Sequence, residues 1–357
     1  MCVQIGVLIR FRHISKTVIL STMKKLTLAT LLIFSCATAW TADFDKGLAA
    51  YEAGDYATAL AEWRPLAVQG DADAQRMLGR LYDNGLGVIE DDKEAVKWHR
   101  LAAEQGDVDA QNILALMYAY GEGVIQDNRE VVKWFRLAAE QGDVSAQFNL
   151  GVLYDLGTRV TEDDEEAAKW FRLAAEQGNT LAQFNLGSIY ENGEGVKENG
   201  EKAAKWYRLS AQQGNSAAQR NLGAMYASGK GVIQNFKEAH TLFLLAAEQG
   251  DATAQFNLGL MYDNGDGVLE DDAEAVKWYT LAAGRGDSKA QFNLGLMYDN
   301  GYGVLENDVY AYMWWSIAAA KEGNNAKESL AKDMTPQDIS KAQDLARECV
   351  KKNYKDC

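Results

Sequence analysis

The most constraining feature of this sequence is a strict internal repeat of 36 residues. The dipeptide Ala-Gln returns without a slip in spacing, and its alanines are Ala74, Ala110, Ala146, Ala182, Ala218, Ala254 and Ala290. A segment of this size cannot bury enough apolar surface to offset the ordering of its own backbone. Neighbouring repeats must therefore stack on one another and share a continuous core.

Each repeat predicts two helices, which we call helix A and helix B. In the third repeat, Ala146, Leu150 and Tyr154 recur at helical spacing, and Gly157 ends the pattern. A second helix opens at Asp163, and every repeat has Asp or Asn at both helix starts, which indicates capping. With only 2 prolines against 32 glycines, the sequence predicts an all-α fold, an α/α solenoid of 36-residue helix-turn-helix repeats.

Aromatic and glycine positions follow the same period. The tryptophans of helix B have core spacing, so we interpret them as buried residues and not as a sugar-binding row. The loop from helix A to helix B reads Gly-x-Gly-Val in most repeats, which suits backbone angles that other residues avoid. Arg159 replaces the second glycine in the third repeat, so we expect that loop to differ locally.

The string Ala-Gln-Phe-Asn-Leu-Gly-Leu-Met-Tyr-Asp-Asn-Gly-Asp-Gly-Val, from Ala254 to Val268, closely resembles the Sel-one-like repeat. The resemblance implies a right-handed α/α superhelix related to tetratricopeptide repeats, which usually serves as an adaptor for other proteins. On this basis we divide the chain into a shortened opening repeat at 40–70, seven repeats at 71–322, and a closing helix with a tail at 323–357.

The amino end predicts a secretory signal peptide at 1–39. A basic start at Met23 precedes a short apolar run, and small residues ending at Ala39 suit a cleavage site. Residues 1–22 then represent an over-extended start. The predicted location is periplasmic or secreted, and the alternative is a lipid anchor on Cys36. No later stretch has the ~20 apolar residues of a transmembrane helix.

Cleavage would leave two cysteines, Cys349 and Cys357, in the mature chain. In an oxidising compartment the pair can form a disulfide, but only if the last helix ends near Lys352. Two free thiols are the alternative.

Charge and chemistry argue against several function classes. The chain has 51 acidic and 36 basic residues, a net charge of -15, which disfavours nucleic acid as a partner. We predict no catalytic residue, no metal site and no cofactor, and we interpret His99 as a ring packed beside the core. Ser329 and Lys332 match the Ser-x-x-Lys motif of penicillin-recognising enzymes, so a β-lactamase-like hydrolase remains a remote alternative.

Helical phase leaves one strip of helix A free to bind a partner. We predict that this strip binds another protein or an extended peptide on the concave surface of a monomeric scaffold. An envelope regulator or virulence-type effector is the alternative function. The predicted partner-binding residues, which we call the partner strip, are Asn149, Asn185, Asn221, Asn257, Asn293, Val152, Ser188, Ala224, Leu260 and Leu296.

Helix B of the fifth repeat departs from the pattern. Its Leu244 occupies a position that is arginine in the first four repeats. The change predicts either an apolar contact with another molecule or a repacked joint between repeats.

Overall fold

The computed structural model describes residues 42–322 and 326–354, with the side chains of 319–322 excepted. All regular structure in these ranges is helical. The predicted signal peptide at 1–39, including Cys36, lies outside the described residues. The chain divides into two compact units, Met1–Asp107 and Val108–Cys357, and we describe each by itself.

In residues 42–107, the described part of the amino-terminal unit, there are four helices. These are α1 (Phe44–Glu52), α2 (Tyr56–Gln69), α3 (Ala72–Asp83) and α4 (Asp92–Glu104). Its core forms around Trp63, Leu78 and Leu81, which are fully buried. The Trp63 ring lies directly against the backbone at Gly47, so a side chain at that position would clash with it.

The carboxy-terminal unit continues the same alternation of A and B helices. The helices are α5 (Val108–Tyr120), α6 (Asn128–Glu140), α7 (Val144–Leu156), α8 (Asp164–Glu176), α9 (Thr180–Asn192), α10 (Gly200–Gln212), α11 (Ser216–Ser228), α12 (Phe236–Glu248), α13 (Ala252–Asn264), α14 (Asp272–Ala283), α15 (Ser288–Asn300), α16 (Asp308–Glu322), α17 (Ala326–Leu330) and α18 (Pro336–Lys351). Consecutive helices pack in pairs, which confirms the all-α solenoid.

The predicted caps define the helix starts. The Asp163 side chain accepts a hydrogen bond from the backbone N–H of Glu166 at 3.0 Å, and Asn179 accepts one from Ala182 at 2.8 Å. Each bond satisfies an N–H group that has no partner within the helix. The acidic residues at these positions are therefore capping groups.

Aromatic side chains of helix B fill the core as predicted. Trp134, Trp170, Trp206 and Trp314 are buried, whereas Trp98 and Trp278 are only half-buried. The next aromatic column packs flat against a glycine of helix A, as Phe171 does against Gly151 and Tyr207 against Gly187. Because glycine has no side chain to hold the aromatic ring of helix B away from helix A, the two helices of these repeats approach each other closely.

The invariant glutamine of the Ala-Gln dipeptide links successive helices inside the core. Buried Gln183 donates to the carbonyl oxygen of Ala175 at 3.1 Å and accepts from Gln213 at 2.8 Å. It thus satisfies a carbonyl at the end of one helix B and joins the next. In the sixth repeat Arg285 stands where Gln213 stands in the fourth, and the Oε1 atom of Gln255 is buried without a hydrogen-bond partner.

The loop that contains Arg159 differs from its counterparts, as expected. Gly195 and Gly231, which occupy the equivalent position, have φ angles of 59° and 71°, whereas Arg159 is not among the residues with positive φ. Its guanidinium donates to the Asn128 side chain at 3.2 Å. Asn128 is equivalent to Asp164, whose backbone lies against Gly195 of the following repeat. The same two positions of neighbouring repeats are therefore in contact in both places, through a side-chain hydrogen bond at Arg159 and through backbone packing at Gly195.

The irregularity at Leu244 is a repacked joint. Leu244 is half-buried and packs on the core cluster of α12 and α13. In earlier repeats an arginine donates to a tyrosine of the next helix A, as Arg208 does to Tyr226 at 2.9 Å. In the fifth repeat the Nε2 atom of His240 lies 3.3 Å from the Tyr262 hydroxyl and replaces that contact.

Candidate functional site

The partner strip lies on the A helices α7, α9, α11, α13 and α15 of the carboxy-terminal unit. Its ten residues are half-buried or exposed, whereas the intervening Leu150, Leu186 and Leu222 are buried. The helical phase therefore separates core from accessible face as the sequence predicts. The binding role of the strip remains a prediction.

The asparagines of the strip fall into two classes. Asn221 interacts with the hydroxyl of Tyr207, a residue of the preceding helix B. Asn293 interacts with the hydroxyl of Tyr279 in the same way. These two amides are thus partly used in joining one repeat to the next.

The other three asparagines lack such a hydroxyl. At the positions equivalent to Tyr207 the chain has Phe135, Phe171 and Phe243, which precede Asn149, Asn185 and Asn257 by the same spacing. Among the described residues, the side chains of Asn149, Asn185 and Asn257 have no hydrogen-bond partner. An amide has two N–H donors and an oxygen acceptor, so these three can pair with the backbone of a bound segment.

The fourth and sixth repeats each contain a hydrogen-bonded pair of a tyrosine and a carboxylate. The hydroxyl of Tyr207 donates to the Glu191 carboxylate at 2.8 Å, and that of Tyr279 donates to Asp263 at 3.0 Å. Burial, together with the hydrogen bond to Glu191, raises the pKa of the Tyr207 hydroxyl, so this group stays protonated and acts as a donor.

In the fifth repeat, a cavity of about 310 Å³ opens between α11, α12 and α13. Three residues of the partner strip line it, namely Ala224, Asn257 and Leu260. Phe243 and Met261 contribute apolar walls. The volume is at the lower end of the range for ligand pockets, about 300–1,000 Å³. The sequence did not predict this cavity.

Two further exposed apolar features are present in addition to the ten residues of the partner strip. Tyr120 and Leu156, which end α5 and α7, are 66% and 59% exposed. A row of large aliphatic residues on the A-to-B loops is about 90% exposed, and it consists of Ile89, Ile125, Ile233, Leu269 and Leu305. Single exposed aliphatic residues are common, but their recurrence at one loop position could have been found in the sequence.

The residues considered for chemistry are dispersed. Ser329 and Lys332 are exposed, one in the short helix α17 and the other in the turn after it. His99 is fully buried, which confirms its place in the core. Within 42–322 and 326–354, no group of three or more His, Cys, Asp or Glu side chains could hold a metal ion. In the same ranges, no helix has both the length and the hydropathy needed to cross a lipid bilayer.

Cys349 is buried on α18 and takes part in a disulfide bond. The helix ends at Lys351, and Asn353 and Tyr354 then adopt left-handed backbone angles. The helix end that a bridge to Cys357 requires is therefore present. Cys357 itself lies outside the described residues, so the Cys349–Cys357 pairing remains a prediction.

A protein-family model and two solved structures resemble this chain over most of its length. Seven consecutive segments match the Sel1 repeat, at residues 72–107, 108–143, 144–179, 180–215, 216–251, 252–287 and 288–322. A protective antigen present in uropathogenic Escherichia coli strains, which displays an SLR fold, is 35% identical over 87% of this chain and 69% of that chain, with a TM-score of 0.72. A Sel1 repeat protein from Oxalobacter formigenes is 31% identical over 85% of this chain and 93% of that chain, with a TM-score of 0.62. A search of curated proteins finds no match.

Proposed function

Because the chain belongs to the Sel1 repeat family, we propose that it is a non-enzymatic, monomeric scaffold whose partner strip binds an extended segment of another protein. Sel1 repeat proteins generally mediate protein–protein interaction and are typically non-catalytic scaffolds. The proposal goes further by assigning the binding surface to the helix-A face of the carboxy-terminal unit, which is concave in the predicted superhelix.

The proposal rests on one observation, which is that the side-chain amides of Asn149, Asn185 and Asn257 have no hydrogen-bond partner within the described residues. Asparagine is a poor residue in the middle of a helix, at a cost of roughly 0.5 kcal/mol relative to alanine. Asn221 and Asn293 offset this cost through the tyrosine hydroxyls. The other three amides have no such compensation within the described residues, and they face the accessible side of the array. Hydrogen bonds to a bound backbone would supply it.

We expect binding to depend on these three amides and not on the other two. Peptides from a randomised heptapeptide library, displayed on phage and selected on the intact array, should lose affinity at least about tenfold in the Asn149→Ala, Asn185→Ala, Asn257→Ala triple variant. Its melting temperature should be unchanged or higher, because alanine is the better helix former.

The matched control is the Asn221→Ala, Asn293→Ala double variant. It should keep peptide affinity within about twofold while losing the contacts with Tyr207 and Tyr279. Full binding by the triple variant, or an equal loss in both variants, would contradict the proposed surface.

The proposed location is the periplasm or the extracellular space. It is supported by the basic start at Met23, the apolar run after it and the small residues ending at Ala39. Mass spectrometry of the exported protein should find a chain that begins near Trp40. A lipid on Cys36, or an uncleaved chain, would contradict cleavage after Ala39.

A further inference from the structure

Two residues that line the cavity of the fifth repeat lack the polar groups present at the same positions in the fourth repeat. Ala227 and Phe243 occupy the positions of Glu191 and Tyr207, whose side chains are hydrogen-bonded to each other in the fourth repeat. Ala227 and Phe243 present neither a carboxylate nor a hydroxyl to the space between α11, α12 and α13, which has a volume of about 310 Å³. The second repeat has the same pair, Ala119 and Phe135, but carries Ala115 where the fifth repeat has Gly223.

The walls of the cavity are apolar and rigidly held. Phe243 and Met261 are almost fully buried, since their other sides face the core of the repeat. Leu260 and Phe236 continue the apolar lining towards the surface. Such walls suit an aliphatic chain, which gains free energy when it leaves water.

A carboxylate lies in the otherwise uncharged lining of the cavity. Asp266 is the only charged residue among the described residues that line the cavity, and its carboxylate has no ion pair or hydrogen bond within them. Lys230, at the equivalent loop position one repeat earlier, is directed to the carboxylates of Glu191 and Glu198 at 3.9 and 3.5 Å. Asp266 is thus available to a cation that enters from solution.

Amides complete the site. Asn257 and Asn264 line the cavity beside Asp266, and Asn257 belongs to the three strip asparagines whose side chains lack a tyrosine partner. The net charge of -15 also favours the approach of a positively charged segment.

We propose that this cavity receives the side chain of a lysine or arginine from the bound segment. The aliphatic stem packs on Phe243, Leu260 and Met261, and the cationic head reaches Asp266. This inference rests on the proposed function, because the residue would belong to the segment that lies along the partner strip.

The test uses a lysine side-chain analogue on the full chain. n-Butylamine and n-butyrate are titrated separately into protein with ¹³C-labelled methionine methyl groups, and the Met261 signal is followed by NMR. Met225 and Met297 occupy the equivalent positions in the neighbouring repeats and serve as internal controls. We expect a saturable shift of Met261 alone with the amine, at about 1–10 mM. The amine should bind roughly tenfold more tightly than butyrate.

Two variants separate shape from charge. Ala227→Leu fills the cavity without adding charge and should abolish the Met261 response. Asp266→Asn should reduce the preference for the amine to less than about twofold. Glu194→Gln, at the equivalent loop position two repeats earlier, is the matched control and should change nothing.

Three results would overturn the inference. They are equal shifts with amine and butyrate, no response of Met261, and an amine preference that survives Asp266→Asn. If any of these occurs while displayed peptides still require Asn149, Asn185 and Asn257, the cationic pocket is wrong and the scaffold function stands. If the amine binds as expected but peptides do not need the asparagines, the partner strip is wrong.

Discussion

Replacing His99 with phenylalanine should stabilise the amino-terminal unit by about 3 kcal/mol more at pH 4 than at neutral pH and remove much of its sensitivity to acid. His99 is fully buried, and both of its ring nitrogens lack a hydrogen-bond partner. Its ring lies flat against Gly79, just as Phe171 lies against Gly151. A phenyl ring therefore fits this position without the cost of two unsatisfied polar atoms, about 1–3 kcal/mol at neutral pH.

The direction of the pH effect follows from the protonation of the two states. Burial, with the charges of Arg80 and Arg76 nearby, lowers the pKa of His99 from 6.5 to about 4. The unfolded chain binds a proton near pH 6.5, whereas the folded unit does so only near pH 4. Stability is thus fully present above pH 6.5 and is lost as the pH falls through this window.

Hydrogen exchange of peptides from α3 and α4, corrected for intrinsic exchange rates, measures the change between pH 7.5 and pH 5. Native protein should lose about 2 kcal/mol more protection over this interval than His99→Phe. Phe171→His is the companion variant. It should introduce acid sensitivity of the same sign through burial alone, because Val152 and Phe148 stand where Arg80 and Arg76 stand beside His99. Parallel pH profiles for the native protein and His99→Phe would show that His99 is not the titrating group.

The fold could be predicted because its signals are local and repeated seven times. Capping residues such as Asp163 act on an N–H group three residues away, and glycines such as Gly157 end helices within the same segment. Periodicity then identifies the stacked partner without any knowledge of coordinates. The helix starts, the buried tryptophan column and the altered loop at Arg159 all follow from such short-range relations.

The candidate site was only partly predictable, because its properties depend on contacts between repeats. Whether an asparagine of the strip is available depends on a residue of the preceding helix B, as with Asn221 and Tyr207. The cavity is lined by Ala227 and Phe243, which lack the carboxylate and the hydroxyl present at these positions in the fourth repeat. Comparing the repeats shows both changes in the second and the fifth repeat, but only the structure shows that the two positions line one cavity in the fifth.

The close packing of glycine against aromatic rings predicts a large effect of Gly187→Val. A Cβ atom at Gly187 would lie 2.6 Å from Cδ1 of Tyr207, a distance that real Cβ contacts essentially never show. Tyr207 is fully buried and its hydroxyl is held by Glu191, so the ring cannot move aside without breaking that bond. We expect a loss of about 3 kcal/mol, since overpacking a core typically costs 1–3 kcal/mol and a β-branched residue adds to the strain.

Gly187→Ala gives a sharper test, because the sign of the change is diagnostic. At an unhindered helix position, replacing glycine with alanine stabilises by up to about 1 kcal/mol. Here the clash should reverse that sign. The second repeat supplies the control, because Ala115 occupies the equivalent position beside Phe135, a ring with no hydroxyl to hold it. In urea unfolding, Ala115→Gly should cost about 1 kcal/mol. If Gly187→Ala stabilised the protein, the ring at Tyr207 would have room to move and close packing would not fix the spacing of the two helices.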